Sequence, residues 1–107
     1  MYKNIEKSMK LKLSDMVDYH QGQIVSRTLV QNDMVSVTLF AFDKGEEIST
    51  HSSGGDAMVT VLDGKGRFTV GGKVYFLEKD ETIVMPQNVP HAVFGEEKFK
   101  MLLVVSF

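Results

Sequence analysis

From Ile24 onward the apolar residues recur every second position, in runs too short for helices and closed by turn-forming residues. This limits the fold more than any other feature, because a period of two buries one face of a strand and never one face of a helix. Ile24–Val30 and Val35–Phe42 are rich in β-branched residues and flank Gln31-Asn32-Asp33, which predicts a hairpin. Asp43-Lys44-Gly45 reads as a turn, and a short extended piece through Ile48 and Thr50 leads to His51 and the Ser52-Ser53-Gly54-Gly55 stretch. Ala57–Leu62 is a strand expected to end in a turn at Asp63-Gly64. Arg67–Val70 and Lys73–Leu77 flank Gly71-Gly72 as a second hairpin. Glu81–Met85 stops at Pro86, and Pro90 precedes a strand at His91–Phe94. A polar loop at Gly95-Glu96-Glu97 then leads into Phe99–Val105. Many short strands without crossover helices make an all-β, antiparallel sandwich or barrel.

Residues 1–23 lack this alternation and read as an N-terminal arm, loose over 1–12, with a short helical turn capped by Ser14. Residues 24–107 form the barrel, and a chain of 107 residues leaves room for one domain. The net charge of −2 comes without a basic stripe, so a nucleic-acid partner is not expected. The longest apolar stretch, Met101–Val105, is far too short to cross a bilayer, and the charged N-terminus has no signal-peptide core. With no cysteine, disulfides and thiolate chemistry are excluded, and a cytoplasmic location is expected. The last strand is apolar on both faces: Phe99, Met101, Leu103 and Val105 on one, Leu102 and Val104 on the other. Either the arm or a second subunit must cover the outer face, and a homodimer is the favoured expectation.

Two segments carry a resemblance. Gly45-EEIST-His51-Ser-Ser53-GGD-Ala57-MVTVLD-Gly64 and Asp80-ETIVM-Pro86-Gln-Asn88-VP-His91-AVF-Gly95 resemble, in order and register, the two motifs of the cupin family. The likeness extends from about Val35 to Val105 and implies an antiparallel cupin β-barrel, a double-stranded β-helix of jelly-roll type. It also implies a divalent metal, which a typical cupin holds with three histidines and a glutamate. Here His51 and His91 stand at two histidine positions, while Ser53 replaces the central histidine and Ala57 the glutamate.

These residues define the expected site. Ala57, Val59 and Val61 share one face of their strand, and His91 shares a face with Val93. A pocket lined by His51, Ser53, Ala57, Val59, Met85, His91 and Val93 would be roomier and more apolar than a metal cupin's, which suits a small-molecule ligand. The alternative is a metal-dependent cupin enzyme of isomerase, lyase or dioxygenase type. It would hold one Mn, Fe, Ni or Zn ion on His51 and His91, with Asp56 or Glu47 as third ligand. Alternation turns Asp56 away from the lumen whenever Ala57 faces it, unless Gly54-Gly55 introduces a bulge. In a further alternative the barrel is purely structural, its interior filled by Met85, Phe40 or Phe94. His20, in a polar turn, reads as a surface residue.

Overall fold

The computed structural model describes residues 1–107. A 3-10 turn at Leu13–Met16 precedes seven strands: β1 (Ile24–Gln31), β2 (Val35–Phe42), β3 (Glu47–His51), β4 (Asp56–Val70), β5 (Lys73–Glu78), β6 (Thr82–Met85) and β7 (His91–Ser106). Every pairing is antiparallel. The two long strands, β4 and β7, pair along nearly their whole length and bend, so each serves two layers. One layer runs β1, β2, the second half of β7, the first half of β4, then β6. The other runs β3, the first half of β7, the second half of β4, then β5. This is the expected barrel of jelly-roll type.

The hairpins at Asn32 and at Gly71-Gly72 form where the sequence places them. Asn32 accepts the Met34 and Val35 amides on its side-chain oxygen at 2.8 and 3.0 Å, closing the first turn. Two expected breaks are not breaks. Asp63-Gly64 does not reverse the chain: β4 continues through it, with register slips between Val61 and Asp63 and between Gly64 and Gly66. Gly64 takes φ +73°, so the left-handed conformation that marks a turn in sequence here makes a bulge that bends the strand between layers. Gly95-Glu96-Glu97 is likewise part of β7 and not a loop. Gly95 donates to Glu46 O and accepts from the Gly45 amide, both at 2.8 Å, and a Cβ there would stand 2.6 Å from Asp43 O.

The alternation puts Ala57, Val59 and Val61 inside with Phe42, Phe68, Phe99 and Met101, while Met58 is 40% exposed. A second buried cluster lies on the outer side of the β1-β2-β7 layer. There Val17 from the arm meets Leu29, Leu39 and Ala41, with Ile5, Leu13, Met16, Tyr19, Leu62 and Leu102 packed around them. The arm is therefore docked on its own chain, not loose. The Lys3 amide bonds Leu29 O at 2.8 Å, and the Asn4 side chain bonds Thr28 O at 2.9 Å. Further along, Lys100 Nζ bonds Ser14 O at 2.6 Å and the Tyr19 hydroxyl bonds Asp63 at 2.6 Å. Ser14 lies inside the 3-10 turn and does not cap it; Lys12 holds the cap position, without a side-chain bond. Leu102, on the outer face of β7, owes its cover to this arm. Val104 lies beyond it, beside Met58, with 53%-exposed Val84 on the far side of Met58. No helix is long and apolar enough to cross a membrane.

Candidate functional site

A cavity of about 220 Å³ opens between the two layers. Its walls are Phe40, Ile48, Ala57, Met85, Val93, Met101, Leu103 and Val105, and its polar groups are His51, Ser52, Ser53 and His91. A broader groove of about 620 Å³ lies between the arm and β1, lined by Asn4, Glu6, Asp15 and Arg27 among others, but it is a shallow cleft without an imidazole.

The sequence brings the histidines together simply. His51 ends β3, His91 begins β7, and the ladder pairs the two residues directly. Their ring centroids are 4.3 Å apart, with the planes at 67°. Each ring is held the same way: Nδ1 of His51 contacts Ser49 O at 2.9 Å and Nδ1 of His91 contacts Val89 O at 3.1 Å. A carbonyl oxygen can only accept, so each Nδ1 carries a proton, and in the neutral ring Nε2 is the atom with the lone pair. His51 is exposed at the rim, whereas His91 is 3% exposed beneath it. No buried side-chain nitrogen or oxygen lacks a partner, and His91 bonds the chain only through Nδ1. Nε2 of His91, which has no partner in the chain, therefore keeps a share of the residue's small exposure, and His91 lines the cavity.

The loop over residues 86–90, which sets the start of β7, is fastened to the β3–β4 connection. The Asn88 amide bonds Ser53 O at 2.9 Å, and the Gln87 amide bonds Asp56 Oδ1 at 2.8 Å. That bond fixes Asp56 outside the cavity. The residue is exposed while Ala57 is buried, as alternation requires, so it is no third ligand. Glu47 is also exposed, pairs with Phe94 and does not reach the cavity, where Ile48 is the β3 contribution. No three His, Asp or Glu side chains approach closely enough to hold a metal ion. The residues present thus do not fit a centre of three or four protein donors, and no chemistry here is routed through a metal.

Of the expected pocket residues, His51, Ser53, Ala57, Met85, His91 and Val93 line the cavity. Val59 does not: it is fully buried in the core between Ile83 and Leu103, one inward step past Ala57. Phe40 and Met85 form walls and leave the space open, and Phe94 lies under the Arg67 guanidinium, 4.2 Å from its ring centroid. Phe40, Ile48, Met101, Leu103 and Val105 were not expected as lining. Only the shared inner face of the last strand hinted at three of them, since strand register decides which residues end up opposite the histidines. His20 is exposed and takes no part.

Burial, more than any other cause, holds the His91 imidazole below its ordinary pKa; the neighbouring His51 adds to this and the Val89 bond opposes it. The unfolded chain therefore takes up that proton first as pH falls. The stabilisation is complete above about pH 6.5 and is lost as pH drops from there through the folded value. Urea midpoints are expected to decline as pH falls below about 6.5, with most of the decline kept in His51→Ala because burial is the larger cause. A flat profile would show that His91 is not desolvated. Asp43, held low by the Gly22 and Lys44 amides, acts only in a more acid range.

The cupin domain profile matches residues 38–106. Among solved structures, a conserved protein of unknown function from Streptococcus pyogenes is 47% identical. The match covers 98% of this chain and 92% of that one, with TM-score 0.96. A cupin superfamily protein from Desulfitobacterium hafniense is 28% identical over 100% of this chain and 98% of the other, at TM-score 0.95. A cupin 2 conserved barrel domain protein from Leptotrichia buccalis is 45% identical over 91% of this chain but only 47% of its own length, at TM-score 0.89. Salicylate 1,2-dioxygenase from Pseudaminobacter salicylatoxidans shares the fold at 20% identity and TM-score 0.72, over 78% of this chain and 26% of that one. No curated protein sequence matches the chain.

Proposed function

The chain belongs to the cupin domain family, and from that premise we propose that it binds a small organic molecule in the cavity between His51 and His91. One observation carries the reading: an apolar chamber of about 220 Å³ has its polar groups gathered at one end, around two imidazoles with uncommitted Nε2 atoms. Pockets of mostly apolar wall with a few convergent polar groups suit small ligands. A bound molecule stabilises the native state by mass action. A screen of small metabolites against the purified protein is therefore expected to yield compounds that raise the Tm without added metal, and to lose those shifts in His51→Ala.

A second reading, a metal-dependent isomerase, lyase or dioxygenase on His51 and His91, is favoured by one detail. Nδ1–H bonded to a backbone carbonyl with Nε2 free is how ligating histidines are usually oriented. Against it stands the donor count of two imidazoles. Elemental analysis separates the readings. After dialysis against Mn, Fe, Ni or Zn and desalting, the protein is expected to retain well under one equivalent of any of them. Near-stoichiometric metal that disappears in His51→Ala would establish the second reading. Neither metal nor ligand binding would leave a structural barrel.

We further propose that the chain forms a homodimer through the outer face around Met58, Val84 and Val104, beyond the cluster that the arm covers. A two-fold interface sets that uncharged stripe against its own copy. Light scattering is expected to give twice the chain mass, and Met58→Lys to give the monomer.

A further inference from the structure

Resting on the ligand-binding reading above, we propose that the cavity takes an uncharged single-ring molecule bearing a hydroxyl group, with the hydroxyl donating its one hydrogen to the Nε2 lone pair of His51 and accepting from the Ser53 hydroxyl. Size sets the first limit. An apolar cavity of about 150 Å³ accepts benzene, so about 220 Å³ accommodates one ring with a substituent inside the walls, the mouth at exposed His51 being open to solvent. The wall chemistry sets the second. Eight of the twelve lining residues are hydrophobic and none is Lys, Arg, Asp or Glu. A carboxylate or phosphate would give up its water for a chamber without a fixed cation, a costly exchange.

The polar end decides what the ligand must offer. Both Nδ1–H groups are spent on Ser49 O and Val89 O, which leaves the Nε2 atoms of two lining residues as acceptors. Ser53 Oγ accepts the Gly55 amide at 3.2 Å, so its own hydrogen is free to be donated. A hydroxyl group answers this set, because it gives one hydrogen bond and receives another. A carboxylate would bring only acceptors to two nitrogens that are acceptors themselves. His91 is buried beside another imidazole, and no carboxylate lines the cavity to favour its doubly protonated form.

The test uses the full ¹⁵N-labelled chain at neutral pH, titrated with phenol, toluene and benzoate, and followed through the amide signals of Ala57, Met85 and Val93. Phenol and toluene have nearly the same shape and differ in the donor. His51→Phe keeps a ring at an exposed position and removes the acceptor. Phenol is expected to bind the wild type at least tenfold more tightly than benzoate. It should lose about 3- to 10-fold in His51→Phe, the worth of one hydrogen bond, with toluene held within about twofold. If phenol and toluene change alike in His51→Phe, or benzoate binds the wild type best, the hydroxyl assignment is overturned while the cavity remains a ligand site. If none of the three moves those signals, both the assignment and the ligand-site reading fail.

Discussion

An alanine at position 64 is expected to destabilise the protein by more than about 3 kcal/mol, several times the effect of an ordinary surface substitution. Two costs add. Gly64 sits at φ +73°, where an L side chain costs about 1–2 kcal/mol. Its Cβ would also fall on the carbonyl oxygen of Lys98 and 2.8 Å from the Phe99 Cα. These are backbone atoms of β7 and cannot swing aside, so the bulge that bends β4 would have to open. Gly45→Ala is the matched control. Its φ of +84° carries the same conformational cost, but nothing lies within 4 Å of the added carbon, so about 1–2 kcal/mol is expected. Urea unfolding of the two variants measures the difference. Equal losses would mean that β4 and β7 do not approach closely at the bend.

Phe99→Ala should cost about 3–5 kcal/mol. The ring is fully buried, stacks on Phe42 at 4.5 Å between centroids and meets the edge of Phe68 at 5.9 Å. Its removal leaves a void between two layers that share their strands, so neither can close in without disturbing the other. Met101, two residues along on the same inward face, lines the ligand cavity, and a relaxed β7 would change that wall as well. Phe76 also occurs in an alternating apolar strand, yet it is 51% exposed on β5, and Phe76→Ala is expected to cost under about 1 kcal/mol. If the two substitutions proved equivalent, the assignment of inner and outer faces would be at fault.

The contrast between Phe99 and Phe76 shows what could be read in the sequence. Alternation told which residues share a face of a strand, and the two motif segments identified the inward face by placing His51 and His91. Hence Ala57, Met85 and Val93 were found, and Asp56 was suspected of facing away. Nothing local says how far along a strand the cavity extends. Val59 therefore fails as a lining residue, and Ile48, on a strand placed only by its long-range register with β7, carries no signal in the sequence. The bends were misread for a related reason. Asp63-Gly64 correctly announces a left-handed backbone, but that conformation serves a reversal and a bulge equally well. Which of them forms depends on whether a partner strand runs past, and β7 does. The doubly apolar last strand calls for a cover and allows the arm as one, but which arm residues supply it is hidden, because Val17, Ile5 and Met16 cover the sheet without any periodic pattern.

The position of β7 has a consequence for how the molecule comes into being. Residues 91–106 lie between β2 and β4 in one layer and between β3 and β4 in the other, so they are the last made of the seven strands and the most central. Before they exist, β1 and β2 are an isolated hairpin, β3 has no neighbour, and β4 holds only β5 and β6. Two-stranded pieces of this kind are marginal in water. Folding on the ribosome therefore cannot advance domain-fashion from the N-terminus. The nascent chain waits, its apolar strands uncovered, until the closing segment emerges, and then pairs across 21 to 71 residues of sequence in one slow, all-or-none event.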